Sequence, residues 1–142
     1  MCVPTFPAAD YPQLYEWSCA HIADFWAAVW DYTRVIASVP YTTVVDEAAP
    51  MDSIPEWFAG ARLNFAENLL AHGVDQDVAI IATGELQPRR AITYRELRES
   101  VRRMAAAFRA AGVGVNDRVA GYIPNCAEAI IAMLAATSLG AI

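Results

Sequence analysis

Apolar positions along the chain fall into two regimes that meet near Gly73. In SCAHIADFWAAVWDYT, residues Ile22, Phe25, Trp26, Val29 and Trp30 recur at three- and four-residue steps, the spacing of one helix face, with Ser18 as the expected cap. Two indoles on one face predict that it lies against another surface. The β-branched run TTVVD (Thr42 to Asp46) predicts a short extended segment, and Pro50 and Pro55 frame a connecting loop. Next, IPEWFAGARLNFAENLLAHG places Phe65, Leu69 and Leu70 on one side of a short helix over 64–72. Asn64 stands as its N-cap, Glu67 in a capping-box position and Gly73 as its stop.

Beyond Gly73 strands alternate with longer helices. VAIIAT (Val78 to Thr83) is apolar enough to predict a strand covered on both faces. GELQPRR is expected to turn the chain and AITY to form a second strand. Thr93 and Glu96 then make a T-x-x-E box at the start of a helix running to about Ala111. In that helix Leu97, Val101, Met104, Ala105 and Phe108 form the buried stripe, while Arg95, Glu99, Arg102, Arg103 and Arg109 face water. Gly112 ends it. RVAGYI (Arg118 to Ile123) predicts a buried strand, Pro124 breaks it, and Asn125 with Glu128 is expected to open the last helix. The order strand, strand, helix, strand, helix is that of an α/β fold. A right-handed crossover is closed by the strand after its helix, and none follows here, so the pattern reads as an incomplete α/β layer. The predicted division is a helical, aromatic-rich cap over 1–73 and the start of an α/β domain over 74–142.

Composition narrows the function. Hydrophobic residues make up 56% of the 142 and charged residues 18%, so the chain must bury surface. A net charge of −6 argues against nucleic acid as a partner, since phosphate affinity is built from clustered cations. All ten basic residues are arginines, which removes Schiff-base and phosphate-loop lysine chemistry from this stretch. Cys2, Cys19 and Cys126 are odd in number, far apart and outside any CxxC spacing, as expected of reduced thiols in a cytoplasmic protein. The first residues carry prolines and early acids where a signal peptide needs an apolar helix. Ala129 to Ile142 is uncharged but too short to span a bilayer, so no membrane role is expected.

Individual candidates each have a plainer structural explanation. GVGVND (Gly112 to Asp117) superficially suggests a dinucleotide loop, yet it follows a helix and precedes a strand, the reverse of the required context. A helix C-cap followed by a tight turn accounts for it. His21 and Asp24, one turn apart, could begin a metal site, but His72 is the only other histidine and an exposed helix pair is the simpler reading. Glu67 is explained as a cap rather than a catalytic carboxylate. Trp17, Trp26, Trp30 and Trp57 read as packing residues rather than a ligand cage.

Three stretches together carry a resemblance: LYEWSCAHIADFWAAVW, IPEWFAGARLNFAENLL and NDRVAGYIPNCAEAIIAMLAATSLGAI. The first resembles the N-terminal cap of acetyl-CoA synthetases. The second, a P-E-W-F-x-G-x-x-L-N-[FY]-A-E-N pattern, resembles acetoacetate and acetate activators. The third is shared across adenylate-forming acyl-CoA synthetases. The whole chain is thus similar to the N-terminal part of that superfamily's large domain and its preceding cap, in the acetoacetyl-CoA synthetase branch.

The resemblance implies a ligation in which acetoacetate, or another short carboxylic acid such as acetate or propionate, attacks ATP to give an acyl-adenylate, and CoA then displaces AMP. It implies Mg with ATP, a Ser/Thr/Gly-rich phosphate loop, a C-terminal lysine and a place in fatty-acid and ketone-body metabolism. Neither the loop nor the lysine has a counterpart in these 142 residues. The expectation is therefore an inactive N-terminal fragment, shortened at both ends, with no catalytic, cofactor-binding or metal residue of its own. An alternative is a non-catalytic interaction module or truncated paralogue that pairs with a full-length synthetase.

Overall fold

The computed structural model describes residues 10–50, 52–85 and 87–142. They divide into two compact units, Met1–Leu63 and Asn64–Ile142. Cys2, Pro4 and Pro7 lie outside the described residues.

The first unit opens with two helices where the periodicity predicts one. Helix α1 spans Tyr11–Ala20 and α2 spans Ile22–Thr33. Asp10 caps α1 by accepting from the Gln13 N–H at 3.0 Å, and proline in the first turn, where its missing donor costs nothing, completes that start. Ser18 is therefore inside α1, its hydroxyl donating to the Tyr15 carbonyl, and not a cap. The break falls at His21 (φ −132°, ψ 63°). No side chain of α2's own N-cap bonds to it; instead Glu47, distant in sequence, accepts from the Ala23 N–H at 2.7 Å. Arg34 ends α2 in the left-handed region at φ 54°.

The TTVVD segment forms isolated antiparallel bridges rather than a strand. Val39 pairs with Arg62 and Thr43 with Ala59, reinforced by the Phe58 N–H on the Val44 carbonyl. An edge-to-face series of rings runs through this unit: Trp17 to Phe25 (6.1 Å), Phe25 to Trp26 (5.5 Å) and Trp26 to Trp57 (5.8 Å). Trp30 packs with Tyr41 (5.2 Å) and Phe58 (4.6 Å). The expected face of α2 is real, but it is only partly covered: Trp26 remains 41% exposed and Trp57 43%.

The second unit holds α3 (Phe65–Ala71), β1 (Val78–Gly84), β2 (Gln87–Thr93), α4 (Tyr94–Ala110) and α5 (Ala127–Ser138). β1 and β2 are antiparallel, with Ile80 opposite Ile92, Ile81 opposite Ala91 and Gly84 opposite Gln87. Pro88, Arg89 and Arg90 thus belong to β2, although prolines and charges read as turn. Proline is tolerated there because a two-stranded ribbon leaves outer edges without ladder bonds. β1 is not covered on both faces either. Ala79, Ile80 and Ala82 pack on the core, whereas Val78 and Ile81 are 52% and 54% exposed, because one face of a two-stranded sheet has nothing over it among the described residues.

The core sits where α4, α5, α3 and the hairpin meet, built from Ala66, Ile92, Leu97, Val101, Ala105, Ile131, Leu134 and Ala135. The α4 stripe is as expected, and Thr93 with Glu96 forms the reciprocal capping box. Asn64 caps α3 through the Glu67 N–H (3.1 Å) and donates its amide to the Thr137 carbonyl of α5 (2.7 Å), tying both helices. α5 starts at Ala127 with Cys126 as N-cap, so the expected Asn125–Glu128 box is not formed. Glu128 turns to Arg90 of β2 instead, at 2.9 Å. Arg118–Ile123 is not a strand of the sheet and is largely exposed. Only its start is paired, through the Val119 N–H on the Ile142 carbonyl, and beyond Val119 no backbone hydrogen bond to a described residue covers it.

Candidate functional site

Charge is divided unequally. Up to Leu63 the chain has Arg34 and Arg62 against eight acidic residues; from Asn64 onward eight arginines meet eight acids. The second unit is therefore formally neutral, and its arginines must be judged by their partners.

A chemically mixed groove of about 800 Å³ lies in that unit between β2, α4 and α5, with Arg90, Arg95, Arg103, Glu96, Glu99 and Glu128 on its rim. Ile92, Met104 and Ile131 line its apolar part. Helical spacing on α4 brings Glu96, Glu99 and Arg103 to one side, while the hairpin register presents Arg90. Every rim charge but one has a counter-charge: Arg90 with Glu128 at 2.9 Å, Arg103 with Glu99 at 3.6 Å, and Arg95 with Asp75 at 3.5 Å. Glu99 also holds Arg102 through two bonds of 2.8 Å. Glu96 is engaged by the Thr93 N–H and hydroxyl at 2.8 and 2.9 Å.

These bonds set the carboxylates' acidity. Glu96 is held below the ordinary value by the Thr93 backbone N–H and then its hydroxyl; Glu99 by the Arg102 guanidinium; Glu128 by a backbone N–H at its own residue and then Arg90. All three stay ionised at neutral pH, the opposite of what a general acid needs. A second groove, about 950 Å³, runs between the hairpin and the start of α5, lined by Ile80, Thr83, Glu85, Arg89, Asn125 and Cys126 among others. In the second groove the Cys126 side chain hydrogen-bonds to the Glu128 carboxylate, and neither groove offers a surplus of cations for a polyphosphate.

The sequence candidates resolve as follows. His21 is the junction of α1 and α2, its carbonyl accepting from Phe25, and its ring lies 6.3 Å from that of Trp17. Asp24 sits in the first turn of α2, where a carboxylate favours the helix dipole. His72 is the C-cap of α3. Among the described residues no three His, Cys, Asp or Glu side chains are grouped to hold a metal ion. Glu67 is exposed and acts through its backbone in the α3 cap. The Gly112–Asp117 stretch is a helix C-cap and turn: Gly112 has φ 90°, Asn116 φ 65°, and Asp117 accepts from the Gly114 N–H at 2.8 Å.

Periodicity gave no hint of the role of Arg98. Its guanidinium donates to the Leu70 carbonyl (2.8 Å), the Gly73 carbonyl and Asp75 (2.7 Å), and stacks 5.4 Å from the Tyr94 ring centre. This fork satisfies the C-terminal carbonyls of α3 from α4. Its position beside the buried stripe was legible; its partners, more than twenty residues away, were not.

The chain belongs to the AMP-binding enzyme family, whose sequence profile matches residues 67–142, just over half its length. Residues 11–69 match the family described as acetyl-coenzyme A synthetase N-terminus. Relatives include the acetoacetyl-CoA synthetase of Gallus gallus, 47% identical over 94% of this chain and 20% of its own length. A malonamoyl-CoA synthetase of Penicillium aethiopicum is 48% identical over 93% of this chain and 19% of its own. Among solved structures, acetoacetyl-CoA synthetase from Streptomyces lividans superposes with a TM-score of 0.81 at 35% identity, covering 95% of this chain and 21% of that one. The fold is that of the N-terminal part of an acyl-CoA synthetase. The chain spans about a fifth of the length of the curated relatives it matches. No helix among the described residues is long and apolar enough to cross a membrane.

Proposed function

We propose that these 142 residues form the N-terminal scaffold of an acid–thiol ligase that joins a short carboxylate to CoA at the expense of ATP, releasing AMP and diphosphate. The observation that carries this reading is the match to acetoacetyl-CoA synthetases over 94% of the chain at 44 to 47% identity. In this reading residues 1–73 are the cap and 74–142 the start of the nucleotide-binding domain. The protein works in the cytoplasm, in ketone-body and fatty-acid metabolism.

Acetoacetyl and malonamoyl groups share a carbonyl two carbons from the thioester carbon and differ only in methyl against amino. The substrate class proposed is therefore a short acid with a β-carbonyl, acetoacetate first.

The residues present do not fit ATP, Mg or CoA. Both grooves carry paired charge, and neither has a glycine-rich run of N–H donors at a helix start. The reactive centre is assigned to the part of the family not matched by this chain, which supplies walls and helix anchors.

Two measurements test this. The isolated chain, given ATP, Mg, acetoacetate and CoA, is expected to release no diphosphate above background; release would overturn the scaffold reading. A chimera in which it replaces the corresponding fifth of the Streptomyces lividans enzyme is expected to keep acetoacetate-dependent diphosphate release. A folded but inactive chimera would overturn the ligase assignment.

A further inference from the structure

We draw no further inference here: the strongest candidate, the groove between the β1–β2 hairpin and the start of α5 with Cys126 at the helix N-cap, carries nothing, because a lone thiol at a helix N-terminus is not a site and nothing among the described residues shows what the groove holds or what covers it.

Discussion

Gly73 and Tyr94 occupy each other's space so closely that a Cβ built on Gly73 would fall 2.2 Å from the aromatic ring. Glycine is required there by contact, not by backbone angle. The ring, the end of α3 and the Arg98 guanidinium are locked into one corner of the second unit.

Gly73→Ala is therefore expected to destabilise the chain by about 1–3 kcal/mol through overpacking. Urea unfolding followed by circular dichroism measures it. Adding Tyr94→Ala opens the space and should restore part of the loss; strict additivity of the two changes would contradict the contact.

Replacing Arg98 separates charge from geometry. Arg98→Lys keeps the cation but cannot reach two carbonyls and a carboxylate as a planar fork, so it should recover little of the stability lost in Arg98→Ala. The expected loss for alanine is about 2–3 kcal/mol, since a charged donor leaves carbonyls at a helix end without partners. Equal midpoints for Arg98→Lys and the parent chain would refute it.

Glu47 caps α2 from outside the helix, so Glu47→Ala should cost about 1 kcal/mol and reduce helicity in the first unit. Amide exchange at Ala23 reports this directly. Ser18→Ala, by contrast, should leave that amide unchanged, because the hydroxyl bonds within α1.

Acid should loosen the α4 corner. Glu96, Glu99 and Glu128 all have pKa values lowered by folding, so their contribution is complete above the ordinary carboxylate value and is lost as pH falls through the lowered ones. Stability is expected to be flat from neutral pH down to about 5 and to decline below about 4. Glu96→Gln retains a capping side chain without a titrating group and should flatten that decline. Thermal melts between pH 7 and 3 decide it, an unchanged slope counting against the assignment.

Much of this chain is legible from local pattern. The α4 stripe, its Thr93–Glu96 box, the Asn64 cap, the β1 segment and the Gly112 stop all follow from interactions within about one helical turn or from a period of 3.6 or 2, which a linear sequence displays. Local rules also explained Glu67 and Gly112–Asp117 as cap and turn, whereas His21, read as half of an exposed helix pair, is the junction of α1 and α2. They failed where a residue had two acceptable partners and distance in space chose between them. Glu128 could cap α5 or pair with Arg90, and it pairs with Arg90. Ser18 could cap a helix, but Asp10 and a first-turn proline had already started one.

Sequence alone determined that α2, α3, α4 and α5 would be helical, where the apolar faces of α2 and α4 lie and that no lysine chemistry resides in them. Tertiary structure alone decided that the N-terminal cap of α2 comes from Glu47, that Arg98 closes α3, that the groove charges neutralise one another, and that the Val119 N–H meets the Ile142 carbonyl. The reason is range: propensity and capping act between neighbours along the chain, whereas ion pairing, stacking and ladder register depend on which surfaces folding brings within a few ångströms.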